Sequence, residues 1–172
     1  AGEAPGFAGR WARRGEAGVN AQAYLEAHGL SPEAAAERAA SPYEQEWRPE
    51  GAEGEFRVLT DNGKGRGIRS VVYPLGAWEE PFEGDSTLFG KEAGTVSRKT
   101  AWEEHPTEGR THVTESATPL GWETTRRHLE EGGGVMVVER AFAPRAPDGS
   151  PGAKTTCKEI FARVAVFKPM DE

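Results

Sequence analysis

Residues 121–142 read GWETTRRHLEEGGGVMVVERAF. Trp122–Glu130 and Val135–Phe142 have the length and residue types of β-strands, and EEGGG (130–134) between them reads as a hairpin tip. The same pattern extends in both directions. Toward the C-terminus, PRAPDGSPGAK (144–154) leads into a last run, Thr155–Val166. Toward the N-terminus come Thr111–Thr118, Thr95–Trp102, Trp78–Phe82, Ile68–Tyr73, Glu55–Thr60 and Tyr43–Arg48, with HPTEG (105–109) and DNGKGRG (61–67) among the turns. Short strands at such regular spacing predict a sandwich or a barrel.

The chain before Ser41-Pro42 is different. After a loose lead-in, AGEAPG (1–6), Phe7–Arg14 reads as a first strand. Asn20–His28 predicts a helix, with Asn20 as its cap, Tyr24 and Ala27 on one face and Gly29 stopping it. Ser31–Ala40 predicts a second, capped by Ser31 with Pro32 at its first position. Ala34 stands where a capping box needs Glu or Gln, so the cap acts without the box. Two short helices cannot cover nine or ten strands, so the sheet is expected to close on itself.

Composition narrows the function. The 172 residues suit one domain spanning 1–172, and the net charge of −7 argues against nucleic acid as a partner. Hydrophobic residues make up 36%, low for a solid core and suited to a barrel around a partly polar interior. The single Cys157 permits no intrachain disulfide and fits a reducing, cytoplasmic setting. No run reaches the eighteen or so apolar residues of a membrane span. The chain begins with Ala, which implies a removed initiator or a processed piece.

Several motifs together resemble the intracellular fatty-acid-binding family. Phe7-x-Gly9-x-Trp11 is followed by Tyr24-Leu25-x-Ala27-x-Gly29 in the first helix. Leu75-Gly76 is similar to the family's turn between its fourth and fifth strands. Gly121-Trp122-Glu123-Thr124-Thr125 is similar to its G-K-E-T-T strand, with Val135–Glu139 as the strand after it. Cys157-Lys158-Glu159-Ile160-Phe161-Ala162-Arg163-Val164 resembles C-T-R-x-Y-E-K-V. The resemblance implies a mainly β fold: a ten-stranded antiparallel up-and-down barrel of the calycin type, closed by a helix–turn–helix lid over residues 20–40, with a ligand inside.

The departures bear on the ligand. The family binds its carboxylate with an Arg and a Tyr on the last strand, and Glu159 and Phe161 take those places. The family's other internal Arg falls on His128, with Arg126 two residues earlier, and the adjacent strand turns Met136, Val138, Arg140 and Phe142 inward. The expected ligand-binding set is therefore Arg126, His128, Met136, Val138, Arg140, Phe142, Glu159 and Phe161. Simple alternation would instead point Ile160, Ala162 and Val164 inward, and the resemblance decides against it. An inward Glu159 is expected to pair with Arg140, and as a hydrogen-bond acceptor it would favour ligands bearing N–H or O–H donors over fatty acids.

Other features read as structural. His105 and His112, beside Glu103 and Glu104, lack the converging ligands of a metal site and are expected at the surface. Gly63, Gly65 and Gly67 form a turn, because no helix follows to make a phosphate cradle. Cys157 is an inert strand residue. The favoured function is a carrier for a hydrophobic or amphipathic small molecule, without a cofactor, acting as a monomer. The alternative is an enzyme on the same barrel, using Glu159 or His128 as acid or base, for example in oxidising a tetrapyrrole as dinoflagellate luciferase does. An interaction module is a third reading. The lid carries Glu26, Glu33 and Glu37 against Arg38, so no stable association with anionic membranes is expected.

Overall fold

A computed structural model describes residues 6–61, 68–81, 95–105 and 109–164, with the side chains of residues 81 and 105 excepted. Ten strands form one antiparallel sheet: β1 (Gly9–Arg13), β2 (Glu44–Pro49), β3 (Phe56–Asp61), β4 (Ile68–Tyr73), β5 (Gly76–Pro81), β6 (Thr95–His105), β7 (Gly109–Thr118), β8 (Gly121–Glu130), β9 (Val135–Pro144) and β10 (Thr155–Val164). The order is β4-β3-β2-β1-β10-β9-β8-β7-β6-β5, so neighbours in sequence pair throughout and β10 returns to β1. This is the expected up-and-down barrel. The Gly63–Gly67 turn and the expected strand ends at Phe82 and Val166 lie outside the described residues.

The β4–β5 seam carries no backbone ladder among the described residues, and side chains bridge it. Arg69 of β4 donates to Glu80 of β5 at 2.7 Å, and the Tyr73 and Trp78 rings meet edge-to-face at 5.3 Å. Glu80 also accepts from Arg98 of β6.

One end of the barrel is plugged by Phe7, Trp11, Trp47, Phe56, Leu129 and Met136, all in one buried cluster. Two helices, α1 (Ala21–Ala27) and α2 (Pro32–Ala40), attach toward the other end, where α1 packs on β9 and β10. Ser31 caps α2 as expected, accepting from the Ala34 N–H at 3.2 Å, and Gly29, at φ +100°, follows α1. Asn20 does not cap α1. It sits in the left-handed region, and its side chain donates to the Thr156 carbonyl at 2.8 Å, fastening the helix entry to β10 instead.

Gly121 opens β8 at φ +154°, packed against the end of β9. A methyl there would fall on the Ala143 carbonyl oxygen and within 2.9 Å of Pro144 Cα. Gly121→Ala is therefore expected to cost about 2–3 kcal/mol, read as a lowered urea midpoint with an unchanged slope.

Candidate functional site

Directly paired residues on adjacent strands share a face, so the ladders fix which side chains enter the barrel. On β10, Cys157, Glu159 and Phe161 are buried while Ile160 and Ala162 are less so, which is the register the family resemblance implied. On β9, Met136, Val138 and Phe142 are buried and Arg140 lies on the same face. β8 differs from expectation. Glu123 pairs with Phe142, Thr125 with Arg140, Arg127 with Val138 and Leu129 with Met136, so these four face inward. Arg126 and His128 face outward. Arg126 is 47% exposed and pairs with Glu103 at 2.9 Å, and His128 lies against Glu130 at 2.8 Å. Glu159 and His128 thus stand on opposite faces of the sheet and cannot act on one substrate as an acid–base pair.

His112 also departs from expectation. It is fully buried inside the barrel, opposite Trp102 on β6 and Arg127 on β8.

Glu159 is held between two arginines. Arg140 Nε donates to Oε1 at 2.7 Å, and Arg13 Nη1 donates to Oε2 at 3.1 Å. Burial works to raise the Glu159 carboxyl, but the two guanidiniums outweigh it and hold it below the usual carboxylate range. Arg13 also donates to the carbonyls of Arg38 (3.0 Å) and Ser41 (2.7 Å), tying the end of α2 to the interior. Both Glu159 oxygens are therefore engaged before any ligand arrives.

Beside this triad, Tyr24 of α1 donates to Glu123 Oε2 at 2.5 Å, and His28 Nε2 lies 3.2 Å from the same oxygen. His28 stacks on Phe142 at 3.8 Å, and Cys157 completes the contact, its thiol pushed up to about 12 chiefly by burial. This cluster fastens the lid to β8 and β9.

Further down, Arg127 donates to His112 Nδ1 and to Thr114 Oγ1, each at 3.2 Å, and lies over the Trp47 and Tyr73 rings. It has no carboxylate partner among the described residues. Burial leads in lowering its pKa to about 10. Burial works to raise the Tyr73 phenol, yet Arg98, Arg127 and Arg69 turn the net direction downward. Arg13, Arg127, His112 and the Tyr24–Glu123–His28 cluster were not identified from sequence. Leu129 carried the available signal: it belongs inside and Arg127 follows by alternation, although Trp122, the other apolar residue of β8, lies on the opposite face.

Burial alone would raise the Glu123 carboxyl. His28, Arg140 and Tyr24 reverse this and bring it to about 2. A depressed carboxyl contributes stability above its unfolded pKa and loses it as pH falls through the folded value. The lid attachment is thus expected to weaken between about pH 4.5 and pH 2, by on the order of 3 kcal/mol. The protection factors of α1 amides, taken relative to the intrinsic exchange rate at each pH, should fall in that window, and Glu123→Gln should lower them at neutral pH.

No protein-family model matches the sequence, and no curated protein does. Solved structures match nearly end to end. The fluorescent protein UnaG is 19% identical, covering 92% of this chain and 97% of its own at a TM-score of 0.63. The REP1-NXSQ fatty acid transporter is 15% identical over 95% and 99%, at 0.65. A Schistosoma mansoni fatty acid binding protein in complex with arachidonic acid is 16% identical over 95% and 100%, at 0.64. At these identities the likeness concerns architecture, and the chain has the fold of the fatty-acid-binding proteins.

Proposed function

We propose that this protein carries a hydrophobic or amphipathic small molecule inside the barrel, and that the favoured ligand bears an anionic group. The observation that carries this reading is interior charge. Arg13, Arg69, Arg98, Arg127 and Arg140 face inward against Glu80, Glu123 and Glu159, and with Arg110, Arg163 and Glu104, which share that face near the strand ends, the described guanidiniums still outnumber the carboxylates. Buried charge seeks compensation, so an interior with surplus guanidinium favours an anion. Inward-facing Tyr43, Val71, Trp78 and Trp102 are only partly buried, so they offer apolar surface for a ligand to cover. Two proteins of the same fold are a fatty acid transporter and a fatty acid binding protein complexed with arachidonic acid.

The apolar wall of the site is assigned to Met136, Val138, Phe142 and Phe161, and its polar groups to Arg140 and Arg127. Glu159 serves to position Arg140 and Arg13, since both of its oxygens are engaged. This shifts the ligand preference from hydrogen-bond donors toward acids. No described helix is long and apolar enough to cross a membrane. Glu26, Glu33 and Glu37 are exposed on the lid, which favours release through water over collision with anionic lipid.

Native mass spectrometry and oleate titration of delipidated protein test the carrier reading, and no retained or bound amphiphile would sink it. Glu159→Gln removes an interior negative charge, so oleate affinity is expected to rise several-fold. The fold should be destabilised by about 3–5 kcal/mol, because two guanidiniums lose their partner. A fall in oleate affinity would place Glu159 against the ligand.

A further inference from the structure

Arg127 Nη1 approaches His112 Nδ1 at 3.2 Å, and a guanidinium carries only N–H groups, so Nδ1 must accept. Burial, then the charge of Arg127, pushes the His112 pKa well below the usual histidine range and keeps the ring neutral. Its one proton therefore lies on Nε2. Among the described residues, His112 Nε2 is the one buried side-chain polar atom without a hydrogen-bond partner. The indole N–H groups nearby are all satisfied: Trp11 donates to the Phe7 carbonyl, Trp47 to Gln45 and Trp102 to the Gly54 carbonyl. A buried donor left unused amid satisfied neighbours is rare in native proteins and needs a reason.

The surroundings point to a ligand. Trp102 lies 4.9 Å from the His112 ring, Trp47 5.3 Å, Tyr73 6.2 Å and Phe7 6.4 Å. Trp102 is the least buried of these rings although it faces inward, so it is the ring that an arriving ligand would displace from His112. Arg127, on the other side of His112, lacks a carboxylate partner among the described residues and has its planar group over Trp47 and Tyr73. The position is four residues along β8 from Glu123, about 13 Å from the lid cluster.

We propose that His112 Nε2–H and Arg127 form a donor pair at the deep end of the barrel, which receives an oxyanion carried on a flat conjugated ligand. This deepens the carrier reading and rests on it. The aromatic walls favour a rigid ring system over a flexible chain, since ring faces and edges can meet in offset or edge-to-face contact. The donors fix the ligand's orientation by accepting its charged end away from the lid.

Two fluorescent probes with the same rings test this: anilinonaphthalene sulfonate, which carries an oxyanion, and phenylnaphthylamine, which lacks it. The wild-type protein is expected to bind the sulfonate roughly tenfold or more tightly than the amine, the worth of one charged hydrogen bond. His112→Phe and Arg127→Met should each remove that preference while retaining the amine, and His112→Gln, which keeps a donor, should preserve most of it. NMR of isotope-labelled histidine in the wild type gives a readout independent of the variants' folding. The Nε2–H tautomer should be present without probe, and its proton should move downfield on saturation with sulfonate. Equal wild-type affinities for the two probes, or an unmoved Nε2–H proton, overturn the deep donor pair while leaving the carrier reading in place. Failure to bind either probe overturns the carrier reading and this proposal with it.

Discussion

A carboxylate cannot stay ionised inside a barrel without partners, and Glu159 has two, on opposite sides. Arg140 reaches it along the sheet from β9 and Arg13 from β1. Arg13 then extends to the carbonyls that end α2, where a helix leaves its acceptors unpaired and its dipole negative. One buried ion triad thus fixes the aim of the interior cations and the seat of the lid together. Such pairs add little net stability compared with apolar packing, yet removing one member strands the others. The arrangement therefore specifies geometry more than it strengthens the fold.

Much of this architecture was legible because strands and turns announce themselves locally. Ser31-Pro32 gave the start of α2, and strand after strand was bounded by Gly, Pro and charged turns. Face assignment was legible only where two signals agreed. On β9, Met136, Val138 and Phe142 share one face and the structure buries them, although Val137 on the other face is buried as well. On β8 the run Arg126-Arg127-His128 gives alternation nothing apolar to hold. A one-residue displacement there turned the expected interior pair outward and hid Arg127. Pairing to β9 resolves it physically, since partners across a ladder share a face and Leu129 must follow Met136. His112 was misread for a related reason: a histidine near acidic residues in sequence looks exposed until β6 and β8 close around it.

Long-range partnerships were not legible at all. Tyr24 and Glu123 are 99 residues apart, and Arg13 and Glu159 are 146 apart. No local pattern marks either pair, because each exists only once the sheet has curled and brought β1 beside β10. The same holds at the β4–β5 seam. Arg69, Glu80 and Arg98 come together where the described residues show no backbone pairing, and the carboxylate shared by two guanidiniums stands in for a ladder there. A seam held by side chains exposes less regular edge than two free strands would, which limits pairing with other chains.

These contacts distribute the interior charge unevenly around the barrel. On the side of β1 and β8 to β10, Glu123 and Glu159 face Arg13 and Arg140, and the described carboxylates match the guanidiniums in number. Across the barrel, Arg69 and Arg98 share Glu80. Arg127 stands further down β8 with no carboxylate partner among the described residues, and together with Arg98 and Arg69 it draws the Tyr73 phenol toward ionisation. The surplus positive charge therefore lies around Arg127 and Tyr73, in a setting where low polarity lengthens the reach of each charge. The aromatic cluster from Phe7 to Trp47 and Phe56 packs on the same rings and keeps water from screening the guanidinium. Selectivity for the ligand's charged end would then arise from this local surplus, with the lid cluster serving to hold the barrel shut.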